Sequence, residues 1–250
     1  MPKPTGYGGR DYPDFGISDT FQTKHIMSDM GELAARLGAP SLFDRTGTVI
    51  RYDQFDGGLN NWILGSNTHG NDPVLVASPF LYKPYAVKLS TLDTGAGTST
   101  MQVDYPFPYE SSLGIEFAYY PVWPITEIEF YCELYTGSKR YTFDVQYKLA
   151  VGEINVYSTG PAYVPIYDDP LTYYLPNTYN INKIVVDLEN KEYNRVMFNK
   201  YDISARDVPL LVGNSGTRPR IRVLIRLEAT NGQAEVCYID NLIFTLDEPL

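Results

Sequence analysis

The alternation of apolar and polar positions is clearest near the C-terminus, in RPRIRVLIRLEATNGQAEVCYIDNLIFT, residues 218–245. Ile221, Val223, Ile225, Leu227 and Ala229 alternate with Arg220, Arg222, Leu224, Arg226 and Glu228, the period of two that marks a half-buried strand. Asn231-Gly232 follows, a pair suited to positive φ, which predicts a two-residue hairpin turn. The return strand, residues 234–245, is apolar on both parities: Val236, Leu242 and Phe244 on one, Cys237, Ile239 and Ile243 on the other. Such a strand belongs in the middle of a sheet covered on both sides. Asp240 interrupts the run, so the fold must hydrogen-bond or coordinate its carboxylate.

Upstream, the same period recurs in short runs separated by turn chemistry: 85–91, 99–105, 113–120, 126–134, 141–149, 153–158, 183–188 and 193–199. Regularly spaced short strands of this kind predict a sandwich or barrel. SLFD-RTG-TVIRYDQF, from Ser41, reads as a hairpin, and Asp56-Gly57-Gly58 and residues 65–73 read as loops around Trp62. Residues 159–180, rich in Pro and Tyr, follow neither period and are expected to form a long loop packed by its own aromatics.

The start of the chain differs. Residues 1 to about 27 are rich in Gly, Pro and Asp and predict an extended arm. One helix is predicted over 29–37, with Asp29 as cap, Glu32 completing a capping box, and Met30, Leu33, Ala34 and Leu37 in one stripe. Gly38 and Pro40 end it. The helix is too short to stand alone, so its stripe must dock on its own sandwich or on a neighbouring subunit. The expected organisation is therefore an arm with helix over 1–46 and an all-β sandwich over 47–250.

Composition narrows the function classes. A formal charge of −10, with Lys and Arg unclustered, argues against a nucleic-acid partner. No run of 18 apolar residues exists, and the Met1-Pro-Lys-Pro start lacks the apolar stretch of a signal peptide, so no membrane association is expected. The 22 Tyr residues suit strand surfaces, protein interfaces and sugar platforms alike. Cys132 and Cys237 are expected to be buried thiols, and no zinc spacing is present.

Chemistry is sparse. His25 and His69 are the only histidines, one in the arm and one in a loop, which leaves little basis for nucleophilic catalysis. Gly95-Ala96-Gly97 has no helix after it to cradle a phosphate. The sharpest candidate is Glu127-Ile-Glu-Phe-Tyr-Cys-Glu133, where Ile128, Phe130, Cys132 and Leu134 take the core parity. Glu127, Glu129, Tyr131 and Glu133 then share the opposite face. Neighbours on that face are roughly 6.5 Å apart, near the spacing of a glycosidase pair. The alternative is a solvated or interface-forming acidic face. Trp62, Trp123, the pair Tyr119–Tyr120 and the loop residues Tyr173 and Tyr174 are the candidate glycan or protein contacts, with Trp62 expected in the core.

YDQFDGGLNNW and EVCYIDNLIFT resemble the opening and closing strands of jelly-roll carbohydrate-binding modules. VVDLENKEYNRVMFNKYDIS resembles the strand–turn–strand of concanavalin- and laminin-G-like sandwiches. Together they cover residues 47–246 and imply a jelly-roll sandwich. In such modules first- and last-strand acids often share a structural calcium, which would put Asp56 with Asp240; the other reading is that Asp240 accepts backbone N–H groups. The acidic strand is similar to the E-x-D-x-x-E strand of concanavalin-like hydrolases, with Glu129 where that family has Asp and Cys132 where it has its second Glu. The arm and helix before the sandwich resemble tailed-phage virion proteins that carry such a domain. That resemblance implies a non-enzymatic virion protein without cofactor, contacting other virion proteins or copies of itself through Tyr7, Tyr12, Phe15, Phe21, Met30, Leu33 and Leu37. The alternatives are a carbohydrate-binding module and a concanavalin-like glycoside hydrolase.

Overall fold

A computed structural model describes residues 46–81, 85–107, 112–122, 125–149, 151–160, 162–168, 177–199, 201–230 and 232–250. The predicted arm, the helix over 29–37, the first arm of the hairpin at Ser41 and the contacts Tyr7, Tyr12, Phe15, Phe21, Met30, Leu33 and Leu37 lie outside these residues. So do His25, Trp123, Tyr173 and Tyr174.

The described residues are all-β. The first strands are β1 (Thr48–Asp53), β2 (Ile63–Ser66), β3 (Gly70–Val76) and β4 (Ala86–Thr91). Next come β5 (Gly97–Pro106), β6 (Ser112–Val122), β7 (Glu127–Tyr135) and β8 (Lys139–Lys148). Then follow β9 (Glu153–Ser158), β10 (Ala162–Asp168), β11 (Asn180–Asp187) and β12 (Glu192–Phe198). The last are β13 (Tyr201–Ser204), β14 (Leu211–Asn214), β15 (Arg220–Ala229) and β16 (Val236–Leu246). They form two antiparallel sheets. Sheet A runs β13-β12-β11-β6-β16-β4-β3, with β1 also on β16; sheet B runs β10-β9-β8-β7-β15-β5-β2, with β14 on β8. The inner faces enclose a core in which Phe117 of sheet A stacks on Phe130 of sheet B.

The expected C-terminal hairpin does not form. β15 pairs with β5 and β7, whereas β16 pairs with β6, β4 and β1, so the two strands belong to different sheets. The reason is burial. β16 is apolar on both parities and takes a central place, whereas β15 presents Arg220, Arg222 and Arg226 on one face and could not sit beside it in a doubly covered sheet. The approach to β16 is pinned at Thr91, whose N–H donates to Glu235 O at 2.9 Å while its hydroxyl accepts from Glu235 N at 3.0 Å.

β1 likewise pairs with β16, so the opening and closing strands lie side by side, as the resemblance implies. β2 and β3 occupy part of the stretch expected to be loop, with Pro73 at a register shift between Asn71 and Val74, where a missing N–H is tolerated. β10 occupies part of the expected long loop, and β13 and β14 are short strands that the period did not reveal. β11 and β12 form the predicted strand–turn–strand, its turn held by Asn190 N–H donating to Asp187 Oδ1 at 2.9 Å.

Asp240 is fully buried, and its carboxylate accepts from Leu81 N at 2.7 Å and Asn241 N at 2.8 Å. Asp56 is exposed, and no cluster of metal-binding side chains occurs among the described residues. Cys132 and Cys237 are buried free thiols in different sheets. A second buried network lies on the outer face of sheet A. Lys183 Nζ, wholly buried, meets Glu116 at 3.0 Å, Glu248 at 2.7 Å and Thr46 O at 3.1 Å. Gly47, at φ +82°, and Gly114 leave room for Glu248: a Cβ would fall 2.3 Å and 2.6 Å from its Oε1.

Asp240→Ala should cost about 3 kcal/mol of unfolding free energy, because two buried N–H groups lose their acceptor. Asp240→Asn, which keeps one acceptor oxygen, should cost less. Urea denaturation of the two variants checks the order.

Candidate functional site

The face of sheet B turned away from the core is polar and carries the chemistry. Glu127, Glu129, Tyr131 and Glu133 of β7 share it as expected, and Ile128, Phe130, Cys132 and Leu134 are buried in the core. The expectation of a solvated acidic face is corrected, because Glu129 and Glu133 are only 4% and 6% exposed. Register explains the difference: β15 sets Arg226 opposite Glu129, and Arg222 opposite Glu133. Arg226 Nε lies 2.5 Å from Glu129 Oε2, and Arg222 Nη1 3.2 Å from Glu133 Oε2. Arg222 also grips Asp104 with two bonds, at 2.9 and 3.3 Å. Tyr131 and Tyr135 donate to Glu133 at 2.9 and 2.6 Å.

Glu127 faces Glu228 rather than an arginine. Burial first, then the Glu228 and Glu129 carboxylates, raise its pKa to about 7.

The centre of the face is Glu129, Asp144 and Tyr163. The Tyr163 hydroxyl, on β10, lies 3.0 Å from Glu129 Oε1 and 2.5 Å from Asp144 Oδ2. β10 and β7 are three strand intervals apart, about 14 Å on a flat sheet at ~4.8 Å per strand. Side chains standing upright on a flat sheet would not meet across that distance. Tyr163 therefore leans across β9 and β8 to reach both carboxyl groups. Along this face lie Tyr131, Tyr157 and Tyr163, all half-buried, with Gln146 and Asn155 between them, whereas Tyr167, past the register shift of β10, turns to the core. Tyr157 and Tyr163 meet edge to face at 5.3 Å.

The tyrosine has one hydrogen for two carboxyl groups. Burial, reinforced by the adjacent Glu129, pushes the Asp144 carboxyl well above the usual carboxylate range. The protonated form of Asp144 is therefore favoured over its carboxylate. The backbone beneath is fixed from inside the sandwich. The β8–β9 ladder ends at Val145 and Val156, and the buried Tyr193 hydroxyl of β12 takes over. It accepts from Asp144 N at 2.8 Å and lies 3.1 and 2.9 Å from Asp144 O and Tyr157 O.

The other expected contacts fall elsewhere. Trp62 is in the core against Phe55, its indole N–H donating to Asp53 at 3.2 Å. Tyr119 is buried in the core, and Tyr120 joins Tyr179 and Tyr238 on the outer face of sheet A. His69 bonds Thr94 beside Gly95. Sequence reasoning missed Asp144, Tyr163 and the arginine partners. Only the alternation of β8 and β15 could have signalled them, and strand order, which decides the pairing, is not written in alternation.

No protein-family model matches the chain, and no curated protein matches it in sequence. Solved structures do. Lectin I-B4 from Griffonia simplicifolia, in metal-free form, is 12% identical with a TM-score of 0.51, over 78% of this chain and 98% of the lectin. A carbohydrate esterase from Shiga toxin-encoding bacteriophage phi24B is 10% identical with a TM-score of 0.51, over 81% of this chain and 100% of that one. The carbohydrate recognition domain of Emp47p is 14% identical with a TM-score of 0.48, over 75% and 89%. The likeness to the lectin and the esterase defines the fold alone, a lectin-like jelly-roll sandwich.

The raised Asp144 carboxyl makes a pH prediction. A carboxyl whose folded pKa is raised favours folding while protonated, and that advantage is lost as pH climbs from the ordinary carboxylate range through the raised value. Asp144→Asn removes the titration. Thermal melts from pH 4 to pH 9 should show the variant gaining steadily on the wild type as pH rises. A constant difference would mean that Asp144 is ionised throughout.

Proposed function

We propose that the protein is a glycan-binding module that holds its ligand on the outer face of sheet B and does not turn it over. The observation that carries this reading is the reach of Tyr163 from β10 to Glu129 on β7, which sets half-buried tyrosines beside polar groups already fixed by one another. Half-buried tyrosines offer flat faces for sugar rings, while carboxylates, amides and guanidinium groups fixed by one another offer preset partners for hydroxyls. The lectin and the carbohydrate esterase that share this fold act, by their names, on carbohydrate, which supports the same class of ligand. Binding without hydrolysis fits the burial of Glu129. A glycosidase nucleophile must touch the anomeric carbon, and this carboxylate lies under Tyr163 and against Arg226.

Screening the full-length protein against a glycan array should identify ligands. Tyr131→Ala and Tyr157→Ala should each weaken the best of them about tenfold, in line with the loss of one stacking aromatic, while Tyr238→Ala on the opposite sheet should not. New reducing ends that appear with the wild type and vanish in Glu129→Gln would overturn the non-enzymatic reading.

A second reading is a virion subunit held to neighbours by residues 1–45. It is favoured by β1, the strand that follows this segment, where Val49 and Ile50 are 37% and 44% exposed. Deletion of residues 1–38 should then leave the melting temperature nearly unchanged while incorporation into particles or oligomers falls sharply. Aggregation of the truncated protein would assign the segment to the protein's own core.

A further inference from the structure

The outer face of sheet B has two unlike ends. Register sets the side chains of neighbouring strands in rows across it. To one side of the row that holds Tyr131 and Asp144 lie Arg226, Glu129, Gln146 and Asn155, and one step further Glu228, Glu127, Lys148 and Glu153. To the other side lie Asp104, Arg222, Glu133 and Thr142, and one step further Arg220, Tyr135 and Arg140. With Asp144, the first end gathers Glu127, Glu129, Glu153 and Glu228 around Arg226 and Lys148. The second gathers Arg140, Arg220 and Arg222 around Asp104 and Glu133.

This second end is an alternating chain of ion pairs that finishes in an arginine on both sides. Arg220 meets Asp104 at 3.1 Å, Arg222 binds both Asp104 and Glu133, and Arg140 meets Glu133 at 3.4 Å. A guanidinium group carries five N–H donors. Asp104 already accepts two bonds from Arg222, and Glu133 already accepts from Arg222, Tyr131 and Tyr135. The two terminal arginines therefore each hold a single carboxylate oxygen, with side chains 36% and 42% exposed. Tyr135 lies between them in the same row, the Arg220 guanidinium 5.2 Å from the centre of its ring. Gly213 of β14 is paired with Arg140 and puts no side chain beside it.

Donors in surplus at one end of a tyrosine-bearing face fit an anionic ligand, whose oxygens supply the acceptors that two carboxylates cannot. Tyr131 and Tyr135 are four residues apart on β7, about 14 Å at ~3.4 Å per residue. One sugar ring does not bridge that distance, and an oligosaccharide does. The opposite end, rich in carboxyl groups, repels an anion, so the polarity of the face sets the direction in which such a chain lies. A protein of net charge −10 also repels anions from a distance. Screening over about 8 Å in physiological salt leaves the exposed guanidinium groups to act locally.

We propose that the glycan is acidic, its carboxylate or sulfate group docking over Tyr135 between Arg140 and Arg220 while neutral rings of the same chain lie on Tyr131 and Tyr157. This rests on the glycan-binding reading and adds the class of ligand. The chemistry common to the two anions is a cluster of charged oxygens. A planar carboxylate matches one guanidinium fork with two parallel bonds, and a sulfate ester has three oxygens to divide between the two arginines.

A glycan array carrying each neutral oligosaccharide beside its uronate and its sulfated counterpart tests this with the full-length protein. Acidic members should bind about tenfold or more tightly than their neutral counterparts, the gain of one or two charge-assisted hydrogen bonds. Arg140→Gln and Arg220→Gln should each erase most of that preference, read as the ratio between paired members, while Arg206→Gln, on an exposed loop, should not. Arg140→Lys, which keeps the charge and loses the fork, should retain part of it. Urea melts show that each variant is folded, and if one is not, the other reads the site alone. A stronger response to uronate or to sulfate identifies the anion, and either supports the proposal. Equal binding of neutral and acidic members, or a preference that survives both substitutions, overturns it and leaves the glycan reading standing. Binding to no member of the array overturns both.

Discussion

A carboxylate buried in the middle of a doubly covered strand sets much of this structure. Asp240 sits where β16 changes neighbours, pairing with β4 before it and with β1 after it. An unsatisfied carboxylate at such a depth would cost several kcal/mol, so the chain bends around it. Asn241 takes φ +52° and forms a bulge against β6, which lets its own N–H turn to Asp240. The Tyr52 hydroxyl donates to the Asn241 side chain at 2.8 Å and so ties β1 to the bulge. Leu81 supplies the second N–H from the loop after β3. The order of β1 and β4 along one side of β16 follows from how this one group is satisfied.

Sheet B solves a different problem with the same means. Alternation along β7 and β15 puts apolar residues inward on both, which leaves acids on one strand and arginines on the other facing outward. A register shift by one residue would drive Arg222 and Arg226 into the core, so the pairing is strongly specified. Each ion pair is partly desolvated and on its own adds little net stability. Its larger effect is order. Glu133 is held by two arginines and two tyrosines, and Glu129 by Arg226 and Tyr163, so these groups cannot swing. Asp144, diagonal to Glu129 across the β7–β8 pair, is fixed at its backbone by Tyr193 and at its side chain by the Tyr163 hydroxyl. Tyr163 thereby links the edge strand β10 to β8 and β7 across the face.

These arguments show which features were legible in the sequence. The two-sided burial of β16 and the shared face of Glu127, Glu129 and Glu133 follow from period alone, because side-chain direction in a strand is local. The hairpin was misread because Asn231-Gly232 speaks only for the turn. Whether its flanking strands pair depends on their outer faces, and the arginines of β15 do not belong beside β16. β10 was hidden because Pro165 and the clustered tyrosines blur the alternation. The register shift between Pro165 and Tyr167 shows how an edge strand accommodates a proline. The acidic face could not be recognised as buried from β7 alone. Its cover comes from β15, about ninety positions away, and from Tyr163 of β10, three strands across the sheet.

β10 ties the two sheets together at one end of the strand order. It is an edge of sheet B and meets sheet A at β13, where Tyr167 and Tyr201 pack at 6.0 Å. Its two faces therefore do different things: Tyr167 closes the core against sheet A, and Tyr163 reaches the acids of β8 and β7. The arginines at the centre of this outer face, Arg222 and Arg226, are spent on those acids, in a chain with a net charge of −10. What the centre of the face presents to a ligand is thus a set of polar groups held by one another beside tyrosine rings, the combination that suits a neutral polar ligand.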